Sequence, residues 1–145
     1  MKLVIQRVKS ASVSANGSEV SKIGKGLFLL VGLTHEDNET EVDFLAEKVS
    51  KMRLMADDMD KMNLTLSDVG GEMLVVSQFT LYSDTTGGNR PSFIKAARPE
   101  VARPLYERFV DKLREKGIPV KTGRFGEYMT LNTVLDGPVT IVMEN

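Results

Sequence analysis

The chain has no cysteine. That excludes a disulfide framework, a thiolate metal site and a cysteine nucleophile, and it agrees with a reducing compartment. Histidine is nearly as scarce. His35 is the only one, and it stands in the acidic run Thr34-His35-Glu36-Asp37-Asn38-Glu39, where a solvated side chain just before a helix accounts for it. A Ser-His-Asp triad built on it is not expected. No apolar run approaches the ~20 residues of a membrane span, and the opening run is interrupted at Gln6 and Arg7, so it lacks the apolar core of a signal peptide. The phosphate-cradling patterns GxGxxG and GxxxxGK[ST] are missing, as is any internal repeat. What remains is a chain of 145 residues, 41% hydrophobic and 27% charged. It reads as a single soluble domain, 1–145, of cytoplasmic type, with neither metal nor cofactor called for.

Net charge is only −1, but it is unevenly spread. Residues 36–72 carry 11 acids against 4 bases, and residues 86–124 carry 10 bases against 4 acids. Two readings are open: a solvated helix face with some ion pairs, or a surface that meets phosphates while the acidic segment faces elsewhere.

Alternating apolar residues at 2–8, and Asn16-Gly17 between two short alternating runs, predict a strand followed by a hairpin with a type I′ turn. The continuously apolar GLFLLVGL at 26–33 predicts a strand covered on both faces. Asn38 with Glu41 forms a capping-box pattern. Val42, Leu45, Val49 and Met52 then recur at helical spacing, predicting a helix to about Met55. Residues 56–71 read as a polar connection, and 73–82 as a strand. A second helix is predicted from Pro99 to Lys116, with Leu105, Phe109 and Leu113 on one face and Gly117 as its stop. Strands at 118–121, 127–134 and 138–144 follow. The class is α+β with mostly antiparallel sheet.

Three stretches resist a purely structural reading. In Leu74-Val75-Val76-Ser77-Gln78-Phe79-Thr80 the strand turns polar at its end, and alternation places Ser77 and Phe79 on one face and Gln78 and Thr80 on the other. Such groups either satisfy one another at a sheet edge or line a polar pocket, where dipoles can hold a carbonyl or an amine. Thr80 is a weak nucleophile without an adjacent base; Asp84 is the nearest acid in sequence. Asp136-Gly137-Pro138 puts a proline at a strand start or edge. The third, Gly87-Gly88-Asn89-Arg90-Pro91-Ser92-Phe93, is a loop suited to close approach of a partner, with Arg90 and Phe93 offering charge and stacking.

These stretches, with IQRVKSASV at 5–13, GLFLLVGL, DKMNLTLSDVGGEMLVVSQFTLY at 60–82, GNRPSF at 88–93, TGRFGEYM at 122–129 and DGPVT at 136–140, resemble the D-aminoacyl-tRNA deacylases over essentially the whole chain. The resemblance implies a barrel-like core with two main helices, and a cytoplasmic homodimer that hydrolyses the ester of D-aminoacyl-tRNA. It implies that Ser77, Gln78, Phe79 and Thr80 form the catalytic pocket. Gly137 and Pro138, joined by a cis bond, would enter the partner's pocket and exclude L side chains, with Arg7 holding them in place. Phe125 and Met129 would line the adenosine and aminoacyl region, and Arg90, Lys95 and Arg98 would meet tRNA. Charged glycyl-tRNA is an implied second substrate. Activation of water by the terminal 2′-hydroxyl is implied, and an older reading makes Thr80 the nucleophile. Leu135 departs from the family's usual Asn. Two other readings stay open: a non-catalytic module that binds tRNA acceptor ends, and an esterase of small molecules using Thr80.

Overall fold

Asn16 and Gly17, both in the left-handed region at φ 52° and 76°, turn the chain between β1 (Lys2–Ala15) and β2 (Ser18–Ile23). The computed structural model describes all 145 residues. The expected hairpin is present, but its first arm and the strand at 2–8 are one continuous 14-residue strand. β2 pairs antiparallel with the second half of β1, and β3 (Gly26–Gly32) with the first half.

The chain then leaves the sheet as α1 (Glu39–Ser50), a small hairpin of β4 (Met55–Ala56) and β5 (Met62–Leu64), and a 3-10 turn at Ser67–Val69. It returns as β6 (Glu72–Ser77), parallel to β3. A second crossover through α2 (Pro99–Glu115) brings β7 (Val120–Thr122) parallel to β6. The two parallel pairings exist because each has a helix in its connection, as parallel neighbours require. The last two predicted strands are one, β8 (Met129–Glu144), antiparallel to β1 along its length. Antiparallel pairing still predominates. Ser21 Oγ donates to the Thr122 carbonyl at 2.7 Å and Lys121 Nζ to the Lys22 carbonyl at 2.6 Å. These bonds draw β7 back to β2, so the sheet curls into a nearly closed barrel.

Alternation in the covered strands feeds two cores. Leu27, Leu29, Val31, Met73 and Val75 face the helices, where they meet Val42, Leu45 and Val49 of α1 and Leu105, Phe109 and Leu113 of α2. Phe28, Leu74 and Val76 point the other way, into the curled sheet, with Val8, Ala11, Val13 and Ile23. Phe109 is fully buried, and removing a side chain of that kind from water is worth about 1.5–3 kcal/mol.

Both helix starts follow the sequence. Asn38 Oδ1 accepts from the N–H groups of Thr40 and Glu41, and Glu41 returns a bond from the Asn38 N–H at 3.1 Å. Pro99 opens α2. α1 ends at Ser50 rather than near Met55.

The charge separation along the sequence largely closes in space. The Arg108 guanidinium grips Asp43 through two bonds of 2.7 Å and reaches Glu39 at 2.8 Å, and Lys116 pairs with Glu47. Half-exposed clasps therefore tie α1 to α2, and the acidic segment does not face elsewhere. Lys112, Arg114, Lys121 and Arg124 also have acidic partners. Within 86–124, only Arg90 and Arg98 have no acidic partner within 4.0 Å.

Candidate functional site

β6 ends at Ser77, earlier than the predicted 73–82. Gln78 leaves the strand direction at φ −145°, ψ 84°, and Phe79–Tyr82 coil into a 3-10 turn. The Gln78 N–H donates to the Val31 carbonyl at 2.7 Å, and the Leu81 and Ser83 N–H groups donate within the turn. Strand alternation therefore stops at Ser77, and Gln78 and Thr80 come together through the turn rather than through a strand face. The turn crosses Gly32 of β3, where an added Cβ would stand 2.9 Å from Leu81 Cβ and 3.1 Å from the Gln78 carbonyl oxygen. Glycine is needed there for space.

The turn forms one wall of a cavity of about 760 Å³, within the ~300–1,000 Å³ usual for small-ligand sites. Ser77, Gln78, Phe79, Thr80, Phe125 and Met129 all line it. Its remaining surface is mostly apolar: Val31 from β3 and Leu33 just after it, Val76 from β6, Ala97 just before α2 and Ala102 in its first turn. Phe79 and Phe93 meet edge to face at 5.2 Å. Phe125 leans on Tyr106, 5.7 Å between ring centres, and carries the Arg103 guanidinium over its ring at 5.3 Å. Tyr106 is itself fixed, its hydroxyl donating to the Val75 carbonyl at 2.8 Å, and burial pushes its phenol well above the usual range. Met129 Sδ accepts from the Arg124 N–H at 3.4 Å. A shallower depression of about 610 Å³ between β2 and β7 holds none of the predicted residues.

Within the cavity the polar groups are few. Gln78 Nε2 donates to Thr80 Oγ1 at 2.5 Å, so the threonine hydroxyl is held by a neutral amide that cannot take its proton. Asp84 does not supply the missing base. Its carboxylate accepts from the Thr86 hydroxyl and N–H at 2.6 and 3.0 Å, and these bonds hold it below the usual carboxylate range. Glu127, the one carboxylate in the lining, is paired with Arg124 at 3.5 Å, and the dipoles of the Ser77-to-Thr80 corner can orient a carbonyl or an amine without themselves accepting a proton.

Gly137 and Pro138 lie elsewhere. They are exposed on β8 and form no part of the cavity of their own chain. Their bond is cis, and Gly137 sits at φ 128°, open in practice only to glycine. Arg7, 11% exposed, braces the preceding residue: Nε donates to the Asp136 carbonyl at 3.2 Å and meets its carboxylate at the same distance, while Nη1 donates to the Leu54 carbonyl at 3.0 Å. A Cβ on Gly137 would approach Arg7 Nη2 to 3.2 Å. Leu135 pairs with Val8 across the ladder and is 40% exposed.

Arg90, Lys95 and Arg98 are exposed on the segment that also supplies Phe93, Ala97 and Pro99 to the cavity wall. Lys95 has only a loose partner, Asp84 at 3.9 Å. The sequence-predicted residues thus fall into two groups, one around the cavity and one where the β1–β8 register shifts beside Arg7. Sequence reasoning missed the apolar walls from β3 and α2, and Tyr106 and Arg103 behind Phe125. Nothing in their local sequence separates them from ordinary core and surface residues. Tyr128 was also missed, although an aromatic residue inside TGRFGEYM was a usable signal. His35 is exposed and outside the cavity.

The chain is 53% identical over 145 residues to the D-aminoacyl-tRNA deacylase of Brevibacillus brevis, covering all of both chains, and 48% identical to that of Clostridioides difficile, covering all of this chain and 97% of the other. Among solved structures, a c-Myc DNA unwinding element binding protein superposes with a TM-score of 0.92 at 38% identity, covering 100% of this chain and 99% of that one. A probable eukaryotic D-amino acid tRNA deacylase shares the fold, with a TM-score of 0.86 at 15% identity over 98% and 97% of the two chains. The family model described as D-Tyr-tRNA(Tyr) deacylase matches residues 4–144, and with relatives this similar over their full length the chain belongs to that family.

Proposed function

We propose that this protein hydrolyses the ester joining a D-amino acid to the terminal adenosine of tRNA, releasing free tRNA, and so proofreads chirality in translation in the cytoplasm. The observation that carries the reading is the division of the site: an open cavity with the Ser77-Gln78-Phe79-Thr80 corner in its wall, and a braced, exposed Gly137-Pro138 that is not part of that cavity. A second copy of the chain would bring the two together. Its Gly137-Pro138 carbonyls would meet the substrate α-amino group, and its backbone would occupy the space an L side chain needs. Selection by exclusion tolerates many side chains and passes glycine, which makes glycyl-tRNA a second substrate.

The chemistry is RNA-assisted in this reading. Gln78 occupies Thr80, no acid or histidine bonds that hydroxyl, and the free 2′-hydroxyl of the terminal ribose helps activate water. Arg90, Lys95 and Arg98, on the wall segment and weakly paired or unpaired, would meet acceptor-end phosphates.

The test is the rate of hydrolysis of matched D-tyrosyl-tRNA and L-tyrosyl-tRNA by the purified protein. Release from the D form alone is expected. Equal, negligible release from both, with tRNA binding intact, would instead identify a non-catalytic acceptor-end module, the reading Leu135 favours.

A further inference from the structure

Tyr128 is 92% exposed, yet it lines the mouth of the cavity. Its phenol makes no hydrogen bond within the chain, and it carries no charge pair, so nothing in the fold uses it. The backbone that presents it is well held. The Glu127 N–H donates to the Arg124 carbonyl at 3.3 Å, the Arg124 and Glu127 side chains pair at 3.5 Å, and Asn16 Nδ2 donates to Glu127 at 3.4 Å. On the far side, Met129 opens β8 and turns into the cavity. Three residues before Tyr128, Phe125 is in the cavity wall. One short turn therefore puts an aromatic ring inside the cavity and a second, unused ring outside it.

We propose that Tyr128 is a stacking platform for the nucleobase next to the terminal adenosine of the substrate. The inference rests on the reading of the cavity as an acceptor-end site. A polynucleotide whose last residue enters the cavity must leave its penultimate base at the mouth, unstacked from that residue. An aromatic face held there recovers the lost stacking without reading sequence, because every base presents a π-face. The hydroxyl is not required, so phenylalanine serves as well as tyrosine.

The experiment compares wild type, Tyr128→Ala and Tyr128→Phe on two esters: D-tyrosyl-tRNA, and D-tyrosyl-adenosine, which keeps the ester, ribose and adenine but has no penultimate base. Tyr128→Ala should lower kcat/KM on the tRNA about 5- to 150-fold, mainly through KM, as expected for loss of one base–aromatic stack. It should leave the adenosine ester unchanged, and Tyr128→Phe should match wild type on both. An equal loss on both esters, a changed sedimentation coefficient in Tyr128→Ala, or no loss on tRNA would overturn the proposal. If wild type cleaves neither ester, the deacylase reading fails separately. Binding of uncharged tRNA then decides: weakening in Tyr128→Ala but not Tyr128→Phe supports the platform, and identical affinities overturn it.

Discussion

Gly32 offers a direct way to move the Ser77-to-Thr80 corner without touching it. In Gly32→Ala the new methyl would lie 2.9 Å from Leu81 Cβ and 3.1 Å from the Gln78 carbonyl oxygen. Carbon atoms settle about 3.5–4.0 Å apart, so the turn Phe79–Tyr82 must retreat by roughly 0.6–1 Å. Neither contact is the free end of a flexible side chain, so rotamer change alone does not relieve it. Overpacking of this size costs about 1–3 kcal/mol of stability. The segment that moves carries Phe79 and Thr80, and a displacement near 1 Å at a reacting centre can lower a rate by on the order of 100-fold. Single-turnover hydrolysis of D-tyrosyl-tRNA reads the second effect and a urea midpoint reads the first. Gly24→Ala is the control, since a Cβ there meets nothing within 4 Å. Wild-type rate and wild-type midpoint in Gly32→Ala would refute the argument that this contact sets the corner's position.

Acid should loosen the helix pair. Arg108 holds the Asp43 carboxyl below its ordinary value, and Lys116, then Lys51, hold Glu47 down to about 2 from 4.5. Depressed folded values mean that this stabilisation is present above the unfolded values and is lost as pH falls through the folded ones, for Glu47 between 4.5 and about 2. Asp43→Asn should therefore lower the urea midpoint at neutral pH and converge with wild type in acid; parallel curves would contradict it. Tyr106→Phe removes the donor to the Val75 carbonyl, which still accepts from the Gly123 N–H at 3.3 Å. It should cost about 0.5–1.5 kcal/mol in denaturant unfolding, and an unchanged midpoint would show that the bond contributes nothing.

Features set by a few neighbouring residues were legible in the sequence. Asn16-Gly17 needs two positive φ angles, Asn38 and Glu41 cap each other, and Pro99 starts a helix; each is decided within about four residues of chain. Features set by distant partners were not. Ser77 ends β6 because Gln78 leaves the strand angles and Phe79–Tyr82 close a 3-10 turn over Gly32 of the neighbouring strand, which no alternation pattern records. The parallel pairings of β3, β6 and β7 depend on how α1 and α2 return the chain. The charge blocks misled for the same reason, since Arg108 finds Asp43 65 residues away. At the site, the polar corner and the Gly-Pro pair were conspicuous in sequence because ordinary strands avoid them, whereas the apolar walls were built from residues that look like any other core.

The long ladder between β1 and β8 has a consequence for synthesis. It joins Lys2 to Glu144 and Ala15 to Met129, so one edge of a 14-residue strand has no partner until more than a hundred further residues have emerged. At ribosomal speed that wait lasts roughly 6–30 s. A strand edge left open so long is a template for pairing with other chains. The nascent protein is thus most prone to aggregation when nearly complete, and binders that shield open strand edges should matter most for its yield in that interval.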